Sequence, residues 1–156
     1  MLNALRASHP YEEVAFEVIS LDNKHTLTGA GVIGELSGAM TEDQFLAHLH
    51  DVFGVPVIRH TRLRGEHIQK VAVCGGAGSF LRARALAAGA QAFVSSDFKY
   101  HEFFDAEGRI LVADIGHYES EHFTIDLLKE KLEEKFPNFA VLKTGVNTNP
   151  VHYSCR

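Results

Sequence analysis

Two residues near the start of one predicted helix are the best placed in this sequence to do chemistry. His117 and Glu121 lie four residues apart, directly after the run 109–114, which is typical of a buried strand. Residues four apart share one face of a helix, and an imidazole with a carboxylate is a common pair of metal ligands. The spacing therefore predicts half of a metal site at the carboxyl end of a strand, where open α/β sheets bind ligands. The alternative is a helix N-terminus whose acidic residues only suit the helix dipole.

A second candidate segment follows another predicted strand and contains Asp97 and His101. Histidine side chains titrate near neutral pH, so His101 could act as a general acid or base. Asp97 could equally be the N-cap of a helix, and His101 could be a packed residue with an ordinary hydrogen bond. The residues alone leave both alternatives open.

A third candidate is a glycine-rich turn between a predicted strand and a predicted helix. It contains Gly75, Gly76, Gly78 and Ser79. Free backbone amides at the start of a helix suit an anion, and this predicts anion binding. The spacing matches neither a Walker loop nor a dinucleotide fingerprint. A tight turn that needs glycine conformations is the alternative.

The elements around these segments alternate between strand and helix. Predicted strands are 70–74, 92–95, 109–114 and 139–144, and predicted helices are 80–88, 99–106 and 119–136. This alternation predicts an α/β fold, a mostly parallel sheet with helices on both faces, whose strand ends place the three candidate segments at one edge. Upstream, a capping box at 41–44 predicts a helix that stops at Gly54. Further strands are predicted at 14–21 and 55–63, and residues 1–8 are predicted to end a helix.

Composition narrows the classes of protein. At 156 residues with 46% hydrophobic content, the chain can bury one ordinary core. A net charge of −5 argues against general nucleic-acid binding. No apolar run approaches the roughly 20 residues that span a bilayer. The two cysteines, Cys74 and Cys155, have no metal-ligand spacing, so we expect a reducing, cytoplasmic setting.

Five segments together resemble a known family. They are the stretches 9–16, 29–36, 71–78, 96–101 and 114–121, which begin with His-Pro-Tyr-Glu-Glu and end with Gly-His-Tyr-Glu-Ser-Glu. In this order they are similar to the carboxy-terminal half of the Nif-three-like dinuclear-metal-centre family, whose members are also described as GTP cyclohydrolase I type 2 homologues. The resemblance extends over essentially the whole sequence.

The resemblance implies a two-lobed α/β fold with a PII-like or CutA-like inserted domain, assembled into hexameric rings. Residues 1–27 would be the remnant of that insert, a helix tail and exit strand, and residues 28–156 the carboxy-terminal lobe. The last two metal ligands of the family fall on His117 and Glu121. The other ligands, a His-His pair and an Asp, belong to an amino-terminal half that has no counterpart in this sequence. We therefore expect a fragment or a shortened relative with an incomplete site for zinc or iron, two ions per complete site.

The implied activity is metal-dependent hydrolysis of a phosphorylated or nucleotide-like substrate, of the GTP cyclohydrolase I type 2 kind. The glycine-rich turn would then bind the anionic part of a small substrate, and Asp97 and His101 would orient ligands or transfer protons. This chain alone is expected to be inactive. The alternative is a scaffold that binds metal or a protein partner without turnover. In either case we expect a homo-oligomer, and neither a membrane nor nucleic acid as partner.

Overall fold

Five strands form one mixed sheet in the computed structural model, which describes residues 2–19 and 28–154. The strands are β1 (Val32–Thr41), β2 (Arg59–His60), β3 (His67–Ala77), β4 (Ala92–Ser96) and β5 (Leu111–Asp114). Their order across the sheet is β1-β3-β4-β5-β2. The central strands β3, β4 and β5 are parallel, whereas the edge strands β1 and β2 pair antiparallel with β3 and β5. The prediction of an α/β fold is confirmed, but the sheet is mixed rather than mostly parallel.

Helices connect and flank these strands. The α-helices are α1 (Leu2–Ser8), α2 (Glu42–Phe53), α3 (Arg82–Ala87), α4 (His117–Glu121) and α5 (Thr124–Lys135), and 3₁₀ helices span Ser79–Leu81 and Tyr100–Ala106. Across the part of the chain that the structure describes, none of these helices has the length and apolar character needed to cross a bilayer.

The two faces of the sheet are covered by separate hydrophobic clusters. Phe45 of α2 and Ile68 of β3 belong to the cluster on one face, and Phe93 and Phe98 to the cluster on the other. All five residues of β4 are buried, because this central strand has neighbours on both sides and packing on both faces. The core therefore holds the carboxyl ends of β3, β4 and β5 in fixed register.

The start and end of α2 are those predicted from the sequence. The hydroxyl of Thr41 accepts a hydrogen bond from the Gln44 amide at 3.3 Å, and the Gln44 side chain accepts one from the Thr41 amide at 2.9 Å. Gly54 ends the helix in the left-handed conformation, with φ of +64°. The capping box and the glycine stop are confirmed.

A buried carboxylate at the first residue of α2 fastens the segment that precedes β3. Glu42 accepts hydrogen bonds from the Arg64 amide at 2.6 Å, the Arg64 Nε at 2.9 Å and the Gly65 amide at 2.9 Å. Burial raises the pKa of Glu42, but these bonds and the Arg64 charge outweigh it and lower that pKa below 4.5.

Several predicted elements differ from those observed. Residues 32–41 form edge strand β1, which the sequence pattern did not indicate. The predicted strand 55–63 is reduced to the two residues of β2. Residues 139–144 pair with no strand in the described ranges, and the predicted helix 119–136 is divided into α4 and α5 at residues 122–123. An apolar pattern forms a strand only where an edge is available to pair with it.

The amino-terminal segment consists of α1 followed by irregular backbone through residue 19. α1 has no buried residue. The predicted strand 14–21 is not formed over residues 14–19, and its last two residues lie outside the described ranges. The division into residues 1–27 and 28–156 stays a prediction, as does the inserted-domain remnant.

Candidate metal site at the carboxyl edge of the sheet

The carboxyl ends of β4 and β5 bring three of the candidate side chains together. Asp97 follows the last residue of β4, and two residues separate the end of β5 from the start of α4 at His117. Glu121 lies one turn further along α4. The parallel pairing of β4 with β5 puts both strand ends at the same edge, so residues 20 positions apart in the chain become neighbours.

The imidazole of His117 stands between the two carboxylates. Its Nδ1 lies 2.6 Å from Asp97 Oδ2, and its Nε2 lies 3.2 Å from Glu121 Oε2. All three side chains are about half exposed, at 51%, 51% and 50%. The group is therefore open to an ion or a small molecule from solvent.

The spacing of His117 and Glu121 fits two ligands of one ion. Ligands held at about 2.1 Å from a divalent ion, at angles between octahedral and tetrahedral, are about 3.0–3.4 Å apart. Nε2 and the Glu121 oxygen are 3.2 Å apart. Asp97 lies at the other ring nitrogen, so it does not converge on the same point. Over the described residues, no three His, Cys, Asp or Glu side chains form a group that could hold a metal. His117 and Glu121 are therefore two potential donors to one ion, at a separation that an ordinary ion pair would also have.

Asp97 fixes the orientation and protonation of the imidazole. In the neutral ring a carboxylate at Nδ1 favours the tautomer with its proton on Nδ1, which leaves the Nε2 lone pair available to a bound ion; without an ion, the protonated ring pairs with both carboxylates. The hydrogen bond with Asp97 raises the pKa of His117 above 6.5; burial opposes this, and the charges of Asp97 and Glu121 add to it. Asp97 itself has a φ of +57°, a conformation that is rare outside glycine and is found at functional sites.

The glycine-rich turn packs directly beneath this group. Gly76 has a φ of +61°, and a Cβ atom there would overlap a Glu121 carboxylate oxygen and lie 3.2 Å from Cε1 of His117. Its amide donates a 2.8 Å hydrogen bond to the Ser120 hydroxyl. The absence of a side chain at Gly76 is what allows α4 to approach the end of β3 so closely.

The rest of the predicted anion-binding segment is also engaged in packing. The Ser79 hydroxyl donates to Glu102 at 2.8 Å, and a Cβ at Gly78 would overlap the Ser95 hydroxyl. Gly75 lies against Glu121, whose side chain would be 3.4 Å from a Cβ there. The tight-turn alternative accounts for these contacts, and anion binding stays a prediction.

His101 does not join the group. It is exposed in the 3₁₀ helix Tyr100–Ala106, and no contact in the structure links it to Asp97 or His117. Its predicted role as general acid or base stays untested, whereas Asp97 does contact the predicted metal ligand.

Two buried acidic residues support the site, although neither was singled out from the sequence. Asp114, at the end of β5, pairs with Arg59 and accepts hydrogen bonds from the amides of Phe98 and Gly116, each at 3.1 Å. These contacts hold the segment after β4 against the segment after β5. The signal for Asp114 was its position as the one acidic residue of the predicted buried strand 109–114.

Glu119 is the second of these residues and anchors the carboxy-terminal segment. Its carboxylate accepts a hydrogen bond from the Asn149 side-chain amide at 3.1 Å. Burial raises the pKa of Tyr153, and the charge and hydrogen bond of Glu119 raise it further. The first turn of α4 is thus covered by residues about 30 positions later, a contact that local sequence patterns do not reveal.

Ser96 carries an unusual hydroxyl at this edge. It is fully buried, immediately precedes Asp97, and within the described residues its Oγ has no hydrogen-bond partner. Buried hydroxyls in proteins normally bond to protein or to ordered water.

The fold and these contacts define an α/β protein with the imidazole of His117 between the carboxylates of Asp97 and Glu121 at the carboxyl edge of its sheet. The sequence profile of the family Duf34/NIF3 (NGG1p interacting factor 3) matches residues 6–150. The chain belongs to this family.

Individual relatives agree with the family assignment. A Staphylococcus epidermidis protein named GTP cyclohydrolase 1 type 2 homolog is 36% identical over 155 residues, which are 96% of this chain and 42% of the relative. A Staphylococcus aureus homolog of the same name is 31% identical over 154 residues, again 96% of this chain and 42% of the relative. The chain thus spans about two fifths of the length of these curated relatives.

Solved structures show the same fold. The crystal structure of Staphylococcus aureus protein SA1388 aligns with a TM-score of 0.79 at 30% identity, covering 98% of this chain and 51% of that one. A Bacillus cereus protein related to NIF3 aligns with a TM-score of 0.71 at 32% identity, covering 98% of this chain and 43% of that one.

Proposed function

We propose that this chain carries the carboxy-terminal half of a divalent-metal site in a cytoplasmic, metal-dependent hydrolase. His117 Nε2 and the Glu121 carboxylate would be its ligands, and zinc or iron its metal. The observation that carries this proposal is their 3.2 Å separation on one turn of α4, which suits two ligands of one ion. A complete metal site would need further ligands besides His117 and Glu121, because two donors give only weak metal affinity.

Within this proposal the chain's own residues have separate tasks. Asp97 holds the proton of His117 on Nδ1, and Gly76 leaves the space in which the Glu121 carboxylate is placed. A divalent ion held there would supply the positive charge that polarises a water or a phosphate oxygen. The open, half-exposed position of the group admits a substrate from solvent.

The substrate class is the less constrained part of the proposal. The curated relatives carry the name GTP cyclohydrolase 1 type 2 homolog, and this favours a phosphorylated or nucleotide-like substrate. A scaffold that binds metal without turnover is the second candidate, and the two-donor set in the described residues favours it for this chain taken alone.

Metal binding by the full chain tests the ligands. Titration with Zn²⁺, followed by calorimetry, should show weak binding of one ion. His117→Ala and Glu121→Gln should each weaken it at least tenfold, and Asp97→Asn by about 10–100-fold. His101→Ala is the matched control and should leave affinity unchanged. Equal weakening by His101→Ala, or two tightly held ions per chain, would contradict the proposal.

Turnover separates the two candidates. Zn²⁺-saturated chain would be incubated with GTP, and phosphate and formate release measured. Release that His117→Ala abolishes would favour the hydrolase even for the isolated chain. Metal binding without any release would favour the scaffold for this chain and leave hydrolysis to an assembly with a complete ligand set.

We also propose that the chain forms a homo-oligomer. α5 has no buried residue, and Leu127, Leu128 and Leu132 on this helix are 54%, 57% and 44% exposed. Apolar surface of this kind usually marks an interaction site. The hexameric ring implied by the family resemblance is the form we expect.

A further inference from the structure

One cavity of the protein has none of Asp97, His117 and Glu121 in its lining. It has a volume of 650 Å³ and opens between β2 and the 3₁₀ helix Tyr100–Ala106. Small-molecule sites usually measure about 300–1,000 Å³ and combine aromatic walls with a few polar groups. The volume of this cavity lies in that range, and its lining contains both aromatic and charged residues.

One wall is aromatic and unusually exposed. Tyr100 and Phe104 are 81% and 66% exposed, yet they meet edge to face with centroids 5.4 Å apart at 73°. Phe103, from the same 3₁₀ helix, is half-buried and packs on Phe98 at 5.6 Å. The 3₁₀ helix thus presents two rings to solvent and anchors itself with the third, so the exposed pair is held in place without contributing to the core.

An arginine held in a fixed position forms part of the opposite wall. The guanidinium of Arg59 pairs with the buried Asp114 and donates to the Phe98 carbonyl at 2.9 Å. Its Cζ lies 5.4 Å from the centroid of the Phe103 ring. These three contacts fix the guanidinium plane, while about half of the side chain, 56%, stays exposed.

A second arginine leaves the cavity positively charged. Arg62 lines the cavity and is exposed, and no ion pair involves it in the described ranges. The acidic residue of the lining, Glu107, already pairs with Arg109 at 2.7 Å. Because Arg59 is balanced by Asp114 and Glu107 by Arg109, Arg62 leaves one net positive charge next to the exposed rings.

We propose that this cavity binds a small molecule with a flat aromatic ring and one anionic group. The ring stacks on Tyr100 and Phe104, and the anionic group pairs with Arg62; Arg59, whose charge is balanced by Asp114, can offer a further N–H donor from a fixed position. Aromatic side chains bind flat rings through offset or edge contacts, and arginine binds carboxylates and phosphates through paired donors. The inference goes beyond the proposed hydrolase and does not depend on metal binding.

Matched probes test the ring and the charge separately. The probes are 2-naphthoate, the neutral 2-naphthylmethanol, and the saturated decahydronaphthalene-2-carboxylate, titrated into the full chain and followed by NMR. We expect saturable binding of 2-naphthoate, with shifts of the Tyr100 ring signals, and at least fivefold weaker binding of the other two.

Variants locate the site. Phe104→Leu and Arg62→Gln should each weaken 2-naphthoate binding at least fivefold while the backbone spectrum stays folded. Phe80→Leu is the control for an exposed ring, 67% exposed and outside the cavity, and Arg84→Gln is the control for an exposed arginine.

Three results would overturn the proposal. The first is equal binding of all three probes, since ring and charge would then not matter. The second is equal loss in the control variants. The third is a change of sedimentation mass in Phe104→Leu without any loss of 2-naphthoate binding, which would make the cavity a contact between copies of this chain.

Discussion

Replacing Gly76 with alanine tests whether the close approach of α4 to the end of β3 creates the site. The backbone at Gly76 has a φ of +61°, and the left-handed conformation costs a non-glycine residue about 1–2 kcal/mol. The new methyl group would also displace the carboxylate of Glu121, a flexible and half-exposed side chain that can move aside, and would press on the His117 ring. We therefore expect Gly76→Ala to lower the free energy of unfolding by at least about 1–2 kcal/mol and to weaken Zn²⁺ binding, because Glu121 loses its position.

Gly54 provides a matched control for the backbone contribution. Its φ is +64°, and a Cβ there would meet nothing within 4 Å. Gly54→Ala should therefore cost only about 1–2 kcal/mol and leave Zn²⁺ affinity unchanged. Urea unfolding of both variants, with calorimetric Zn²⁺ titration, separates the two contributions. If Gly76→Ala were no more destabilising than Gly54→Ala and bound Zn²⁺ as well as the parent chain, the proposed role of this glycine would be wrong.

Three further predictions concern charge and assembly. In the metal-free chain NMR titration should place the pKa of His117 above 6.5, and Asp97→Asn should lower it. Because the pKa of His117 is raised in the folded state, the contribution of this residue to folding stability is fully present below pH 6.5 and is lost as pH rises through the folded-state pKa. Metal affinity rises over the same range, because the metal binds the neutral imidazole. Glu42→Gln should lower the free energy of unfolding by about 3–5 kcal/mol at pH 7, because it leaves Arg64 without its partner. The pKa of Glu42 is lowered, so this difference is present above pH 4.5 and shrinks as pH falls through the folded-state value. Sedimentation equilibrium should give a mass above 17.2 kDa at micromolar concentration, and Leu132→Lys should lower it.

Each of these three predictions would be contradicted by a different result. An unchanged His117 pKa in the Asp97 variant would show that the carboxylate does not act on the ring. A Glu42 variant as stable at pH 7 as the parent would show that the buried ion pair contributes no net stability. A mass of 17.2 kDa at every concentration would exclude self-association through α5.

Local patterns predicted the elements that depend on neighbouring residues. The capping box of Thr41 and Gln44 requires only four consecutive positions, and it begins a helix as expected. The placement of His117 and Glu121 on one face of α4 follows from helical periodicity alone. The strand predicted at 92–95, observed as β4, could be recognised because a central strand is apolar on both faces.

Contacts between distant segments could not be read in the same way. The pairing of Asp97 with His117 depends on the register of β4 against β5. The pairing of Asp114 with Arg59 depends on β2, a two-residue strand that lies beside β5 at the edge of the sheet. β1 was missed because two glycines, Gly34 and Gly38, interrupt its pattern, although its backbone pairs with β3. The sequence therefore identified single residues that could do chemistry, whereas the residues that contact them could be identified only from the fold.

The break between α4 and α5 divides the end of the chain into parts of unequal local stability. Residues of α4 form hydrogen bonds with Gly76, Asp97 and Asn149, which lie in three different segments. In contrast, α5 has no buried residue. Segments with few buried contacts open at lower free energy, and their amides exchange with solvent sooner. Amide exchange should therefore be slow in α4 and fast in α5. The second helix can then unfold locally, or rearrange on a partner, while the His117 and Glu121 pair keeps its geometry.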